Sequence, residues 1–460
     1  MDNKPSDTIA AISTAIGGGI AIIRLSGKDA LKIAKSLFKP ASDKCAYLSH
    51  RLYYGHIVKD GQVLDECILS IMKAPRSYTR EDVVEISSHG GLKSAELILA
   101  AVLSAGASLA EPGEFTKRAF LNGRIDLSQA QAVIDIINSK TELSHNQALN
   151  RLSGRLSAGI YKIREELLNL LAGVEAAIDY PEYDMDLESL PEQKETLNEI
   201  KKRITELIES GELGIILSQG LQTVILGRPN VGKSSLLNRI LGSERAIVTE
   251  IPGTTRDVLR ESVNVRGIPL NIVDTAGLRD TDDIVESLGV AKSLEYAKDA
   301  DLLLYVLDAS SPLDAEDLDH LIALSNKNIM LIINKVDLER KLEPGSFPHN
   351  FRELYESAAQ ISAAQNSGID KLFAAIYNLF AKNRLTLENT AMISNTRDMD
   401  SLKKALYHVN GAISTLEDGL SADIAAIDIR EAYIYLGQIL GESLEDDIID
   451  RIFSKFCLGK

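Results

Sequence analysis

The stretch LQTVILGRPNVGKSSLLNRIL, residues 221–241, decides the fold. LQTVILG reads as a buried strand that ends in glycine, and SSLLNRIL reads as a helix. Between them Gly227, Gly232, Lys233 and Ser234 match the pattern GxxxxGK[ST]. Glycines at these positions let backbone N–H groups wrap phosphate oxygens, and the helix N-terminus adds its dipole. Lys233 is placed to reach the β- and γ-phosphates and to act in catalysis, and the Ser234 hydroxyl to bind Mg²⁺. Asn230, Val231 and Ser235 complete the expected phosphate-binding set.

Three further motifs follow in order. NIVDTAG ends a strand with Asp274, Thr275, Ala276 and Gly277, an aspartate to support Mg²⁺ and a glycine amide to sense the γ-phosphate. LIINKVD ends another with Asn334, Lys335 and Asp337. A carboxylate there accepts two hydrogen bonds from guanine N1–H and N2–H₂, a donor pair that adenine lacks, so the expected nucleotide is GTP. ISAAQ supplies Ser362, Ala363 and Ala364 as a backbone clamp for guanine O6. In IVTEIPGTTRD, Thr254 and Thr255 are both candidates for the threonine that completes the Mg²⁺ shell. Leu278 follows DTAG, and an apolar side chain cannot orient the attacking water. Asp280, Asp282, Asp283 and Glu286 lie just downstream, and no arginine finger in cis is identifiable.

Outward from this core, strand–helix alternation runs to about residue 381, the pattern of a doubly wound α/β domain. Residues 1–118 mix β-type runs (GGIAIIRLSG, VVEISSHGG) with helical ones (ALKIAKSLF, SAELILAAVLSAG), an α+β domain. From Ser128 the pattern turns helical. Leu149, Leu152, Leu156, Ile160, Ile163, Leu167 and Leu170 recur at steps of three and four, which predicts one long helix. DYPEYD ends it, and another amphipathic helix is expected around residues 189–210. Helical character returns after Arg384. The expected domains are therefore 1–118 (α+β), 119–215 (helical), 216–381 (inserted nucleotide domain) and 382–460 (helical).

The chain has 460 residues, 45% hydrophobic and 25% charged, with a net charge of −16. That charge argues against a general nucleic-acid coat protein, though not against RNA as a substrate. No apolar run reaches the ~18 residues that a membrane span needs. The first residues show neither a secretory signal nor a transit peptide. Cys45, Cys67 and Cys457 lack any CxxC spacing, so neither disulfides nor a zinc site is expected, and a reducing cytoplasm is the natural home. The ending RIFSKFCLGK fits a prenylation box poorly, because Gly459 and Lys460 are the wrong residue types.

DTIAAISTAIGGGIAIIRLSG, KAPRSYTREDVVEISSHGG, EPGEFTKRAFLNGRIDLSQAQAVIDII, VTEIPGTTRD, DTAGLRDT and the terminal FCLGK together resemble the MnmE (TrmE) family of tRNA-modification GTPases, over nearly the whole chain. The resemblance implies an N-terminal folate-binding, dimerising domain and a helical domain interrupted by the G domain. It implies potassium-stimulated GTP hydrolysis. It also implies a partner, MnmG, that uses FAD and NADH in a heterotetramer or larger complex with the homodimer. Together they would add an aminomethyl or carboxymethylaminomethyl group at C5 of the wobble uridine of certain tRNAs. The carbon would come from 5,10-methylenetetrahydrofolate, of which 5-formyltetrahydrofolate is an analogue. By resemblance, folate contacts fall on Arg24, Glu85, Arg124 and Lys460, and K⁺ ligands on Asn230, Thr249, Ile251 and Thr254. Thr249 and Thr255 also fall in the nucleotide set, with Ser234 and Thr255 expected on Mg²⁺, and Glu286 falls on the water-orienting carboxylate. If Lys460 contacts folate, Cys457 lies within about 10 Å of the one-carbon carrier, since three extended residues span roughly that distance, and is expected as a catalytic thiol. The chain departs from relatives at Arg124 (often Lys), at Arg397-Asp398 (usually Arg-His), in STAIGGG (often with Pro and Arg) and at Leu458 (commonly Ile).

Two rival classes differ in sequence. A ribosome-assembly GTPase shares GRPNVGKS but usually adds a basic RNA-binding module or a second G domain, whereas this chain has one phosphate loop and is acidic. A membrane-linked regulatory GTPase would need the lipid box that the last four residues do not form.

Overall fold

Alternation of apolar and polar residues along each strand decides how the first sheet sits. In IAIIRLS, Ala21, Ile23 and Leu25 are buried while Ile22 and Arg24 point the other way. The computed structural model describes residues 7–42, 45–179, 190–242, 246–247, 260–273, 296–381 and 392–460. The chain divides into two units, Met1–Ile134 with Leu436–Lys460, and Asp135–Tyr435.

In unit 1 the strands are β1 (Ile9–Ile12), β2 (Ile20–Ser26), β3 (Phe38–Pro40), β4 (Arg51–Lys59), β5 (Gln62–Met72), β6 (Val83–His89) and β7 (Ser108–Leu109). Their order is β3-β4-β5-β6-β2-β1-β7. All neighbours are antiparallel except β1 and β7. Helices α1 (Ala30–Leu37) and α2 (Leu92–Ser104) pack on one face, where Ile33 and Ile98 meet Ile23, Leu25, Leu69 and Ile86. These two helices and strands β2 and β6 fall on the runs predicted for them. The opposite face is covered at its β1 edge, where Ala11 packs with Phe115. Farther across, Leu52, Tyr54 and Ile68 stand exposed. Helices α3 (Glu114–Leu121) and α4 (Leu127–Asn138) form a second, smaller core with the helix Asp446–Phe453, through Ala119, Leu127, Ile449, Phe453 and Phe456.

Unit 2 joins a helical part to the second sheet. The single helix expected through Leu149 and Leu170 is two: α5 (Glu142–Leu152) and α6 (Arg155–Asp179). The N–H groups of Ser153 and Gly154 turn back to the carbonyls of Leu149 and Arg151 and end α5. Apolar steps of three and four continue across this break, so periodicity alone did not reveal it. From Leu156 to Leu170 the expected face is buried, but Leu149 is 44% exposed. A capping box starts α5: the Thr141 hydroxyl accepts from the Ser144 N–H at 3.1 Å, and the Ser144 hydroxyl accepts from the Thr141 N–H at 3.1 Å. Helix α7 (Leu190–Gln219) runs farther than expected, up to the next strand.

The second sheet contains β8 (Leu221–Leu226), β9 (Ala246–Ile247), β10 (Arg260–Val265), β11 (Ile268–Val273), β12 (Leu302–Asp308), β13 (Ile329–Asn334) and β14 (Ala359–Gln360). Their order is β14-β13-β12-β8-β11-β10-β9, parallel from β14 to β11 and antiparallel beyond. Both faces are covered. Leu302, Leu304 and Val306 enter one core, while Leu303, Tyr305 and Leu307 enter the other. That explains why these strands read as continuous apolar runs. Among the described residues no helix is long and apolar enough to cross a membrane.

Candidate functional site

The C-terminal ends of β8, β12, β13 and β14 lie along one edge of a parallel sheet, where ligands of doubly wound folds bind. The loop from Gly227 to Gly232 leads from β8 into helix α8 (Lys233–Leu241). Gly232 has φ +98°, and a Cβ there would lie 2.2 Å from the Asn334 side-chain nitrogen, so the position admits only glycine. Lys233 Nζ donates to the carbonyls of Gly227 at 2.8 Å and Arg228 at 2.7 Å, which holds the ammonium on the loop itself. Ser234 and Ser235 are exposed in the first turn of α8.

One buried amide ties three of the expected motifs together. Asn334 Nδ2 donates to the Val231 carbonyl at 2.9 Å, and Asn334 Oδ1 accepts from the Ala363 N–H at 3.0 Å. Arg239 on α8 fastens the same segment from behind, donating to the carbonyls of Ala363 at 2.7 Å and Ala364 at 3.0 Å. Lys335 Nζ pairs with Asp308 Oδ2 at 2.6 Å at the end of β12. Burial alone would raise the Asp308 carboxyl, but hydrogen bonds from Lys335 and Ser310 outweigh it and hold the group below the usual carboxylate range. Ser362 and Ala363 are buried, and Asp337 is exposed.

The loop is also braced from the side. Arg228 reaches Asp314 at 2.8 Å and the buried Asp317 at 2.9 Å, and the Tyr305 hydroxyl donates to Asp317 at 3.0 Å. Burial pushes the Asp317 carboxyl up, against the pull of Tyr305 and Arg228. The sequence reading missed Arg228, Arg239, Asp308 and Asp317. Asp308 had a signal, as a carboxylate ending an apolar strand. Thr249, Ile251, Thr254, Thr255, Asp274, Thr275, Ala276, Gly277 and Glu286 lie outside the described residues.

A second constellation sits in unit 1. Arg24 and Glu85 are direct cross-strand partners on β2 and β6. Arg24 Nε donates to Glu85 Oε1 at 2.8 Å, with the side chains 20% and 22% exposed. Arg24 Nη1 also reaches the Gly459 carbonyl at 3.4 Å, so the C-terminal segment closes over the pair. The Arg24 guanidinium lies 5.6 Å from the centre of the Phe115 ring and 5.7 Å from that of Tyr78. Arg124 lies 4.7 Å from the same Tyr78 ring and donates to the Tyr78 carbonyl at 3.1 Å. The structure thus brings Arg24, with its partner Glu85, and Arg124 together through Tyr78, which the sequence reading did not single out.

The tail is held by its backbone. The Cys457 carbonyl accepts from the N–H groups of Lys460 at 3.3 Å and Gly113 at 3.4 Å, and the Cys457 side chain is exposed. Gly459 has φ +86°, and a Cβ there would come 2.3 Å from the Ile12 carbonyl oxygen. A glycine at this place is therefore a docking requirement. Cys67 by contrast is buried, and burial pushes its thiol up to about 12.

Fold and site define a P-loop guanine-nucleotide-binding protein whose unit 1 carries a cluster of charged side chains covered by the C-terminal segment. A family model described as the MnmE helical domain matches residues 127–457, and one described as the GTP-binding protein TrmE N-terminus matches residues 8–124. The chain belongs to the MnmE (TrmE) family, and it is a GTP hydrolase. The tRNA modification GTPase MnmE of Clostridioides difficile (strain 630) is 49% identical over 457 residues, which is 99% of each chain. That of Bacillus subtilis (strain 168) is 47% identical over 463 residues, covering 99% of this chain and 100% of the relative. Among solved structures, the FeoB G-domain from Methanococcus jannaschii is 21% identical over 35% of this chain and 97% of that chain, with a TM-score of 0.26, too low to carry weight.

Proposed function

We propose that this chain is a potassium-stimulated GTPase of tRNA modification. With MnmG, which uses FAD and NADH, it adds an aminomethyl or carboxymethylaminomethyl group at C5 of the wobble uridine. A tetrahydrofolate supplies the one-carbon unit. The observation that carries this reading is the seating of the tail. The Gly459 carbonyl accepts from Arg24, the exposed Cys457 lies two residues before it and the partly buried Lys460 follows it. Arg24 paired with a half-buried carboxylate, Arg124 on the neighbouring Tyr78 ring, and a covering segment that carries a thiol and a lysine suit a small anionic carrier with hydrogen-bond donors on its ring. Glu85 receives the ring donors, Arg24, Arg124 and Lys460 take the anionic end, and the Cys457 thiol works beside the one-carbon unit.

In the nucleotide domain, the loop amides and Lys233 bind phosphate. Ser234 and Thr255 hold Mg²⁺, while Asn334, Lys335 and Asp337 select guanine. Asn230, Thr249, Ile251 and Thr254 hold K⁺, which supplies the positive charge an arginine finger gives elsewhere. Glu286 orients water in place of Leu278. The domains run 1–118, 119–215, 216–381 and 382–460. The protein is a cytoplasmic homodimer, and the exposed apolar face with Leu52, Tyr54 and Ile68 supports pairing through the N-terminal domain.

Nucleoside analysis of tRNA from cells lacking the gene tests the activity. The wobble modification should vanish, return with the wild-type gene, and fail to return with Cys457→Ser. Fully modified tRNA in the deleted strain would overturn the reading. Replacing K⁺ by Na⁺ at equal ionic strength should slow GTP turnover by at least about tenfold, the scale for losing a transition-state charge. Equal rates would remove potassium from the mechanism.

A further inference from the structure

Beside Tyr78 in unit 1 a cavity of about 470 Å³ opens to solvent. Arg76, Arg80, Arg124 and His50 line it, and its lining contains no carboxylate. In a chain of net charge −16 this is a local reversal of sign. Two of the guanidiniums are fixed by neutral carbonyls: Arg80 Nη1 donates to Asn122 O at 2.9 Å and Arg124 Nη1 to Tyr78 O at 3.1 Å. Such bonds orient a cation without neutralising it. The Arg76 guanidinium has no hydrogen bond or ion pair among the described residues. Arg80 also stands at φ +61°, a backbone conformation that a side chain like arginine rarely adopts and that concentrates where function demands it. Three like charges around one shallow, open recess repel each other until an anion binds.

Tyr78 is the wall shared with the neighbouring site, since Arg24 and Arg124 both lie against its ring. We propose that this cavity binds a run of carboxylates: the additional γ-linked glutamates of a polyglutamylated folate, continuing from Arg124 past Arg80 and Arg76. The proposal rests on the folate reading above and extends it from the carrier to its tail. Guanidinium forks match carboxylates two bonds at a time. The volume falls in the range of small-molecule sites, roughly 300–1,000 Å³. An RNA backbone would call instead for a stripe of cations spread over the surface, and here three arginines line one recess.

The test is calorimetric titration of the full-length protein with 5-formyltetrahydrofolate carrying one glutamate and carrying five. The pentaglutamate should bind at least about fivefold tighter, the scale of one to two partly exposed charge-assisted contacts. The preference should shrink as salt rises. In Arg76→Gln the ratio of the two affinities should fall toward one. A ratio is read because it cancels any loss of folded protein. Equal affinities in the wild type, or a ratio untouched by Arg76→Gln, overturn the proposal while leaving the folate reading standing. Failure of the monoglutamate itself to bind sinks both. If Arg76→Gln weakens the binding of an RNA hairpin while the ratio of the two folate affinities stays as in the wild type, the cavity belongs to phosphate and the proposal falls.

Discussion

In the second sheet the candidate site residues sit at strand ends, whereas in the first they sit on a strand face. Asp308 and Asn334 terminate β12 and β13, and the phosphate loop follows β8. Each is delivered by one short segment, and both faces of that sheet are free to be core. Arg24 and Glu85 instead use the outward side of β2 and β6, so they depend on pairing register. A slip of either strand by one residue would turn that strand's charge into the core and break the pair. They depend also on a cover that arrives from the far end of the chain, through Gly459. A site at strand ends is carried by local motifs, and a site on a face is carried by global closure.

The sharpest way to break the first half of this contrast is Gly232→Ala. The added Cβ would meet the Asn334 amide at 2.2 Å and unseat the residue that joins three motifs. GTP affinity should fall about hundredfold, close to 2.7 kcal/mol, measured by titration with a fluorescent GTP analogue. A change under about threefold would show the junction to be yielding. Gly459→Ala attacks the second half. Strain and collision should cost the tail's docking about 2 kcal/mol, seen as faster amide exchange in residues 446–460 with GTP affinity unmoved. Unchanged exchange would mean that the tail seats without that glycine.

The smallest expected effect comes from Asp308→Asn, about 1 kcal/mol at neutral pH for a hydrogen-bonded, partly exposed pair. Its carboxyl is held below the ordinary range in the folded state. Its contribution is therefore complete above the unfolded carboxylate pKa and is lost as pH falls through the lowered folded value. The gap in denaturation midpoint between wild type and variant should hold steady near pH 7 and close below about pH 4. A gap that widens in acid would contradict the sign.

Legibility in the sequence followed the same division. GRPNVGKS, NKVD and ISAA could be read because each carries its chemistry within a few residues, and β8, β13 and β14 lie where those motifs require them. The braces behind them could not. Arg228 with Asp317, and Arg239 with Ala363, are joined only by folding. The end of α5 was hidden because leucines keep helical spacing across Ser153 and Gly154, while Leu149 itself faces solvent. RIFSKFCLGK was unplaceable by itself because its partners, Ile12, Arg24 and Gly113, come from the opposite end of the chain.

The closure of unit 1 by Leu436–Lys460 has a consequence for synthesis. The ribosome makes Met1–Ile134 first and must then translate all of Asp135–Tyr435 before the closing segment emerges. At bacterial and eukaryotic elongation speeds that delay is on the order of tens of seconds, far longer than a small domain needs to fold. The first sheet can use the interval, since its helix-facing core from Ala10 to Ala107 is drawn entirely from the early segment. The smaller core cannot, because Ile449, Phe453 and Phe456 have yet to be made. Lys117 waits for Asp450 across 333 residues, and Arg24 waits for Gly459 across 435. A nascent chain therefore passes through a stage with a formed first sheet, a complete nucleotide fold and an uncovered Arg24–Glu85 pair, and a product truncated before the tail would be arrested there.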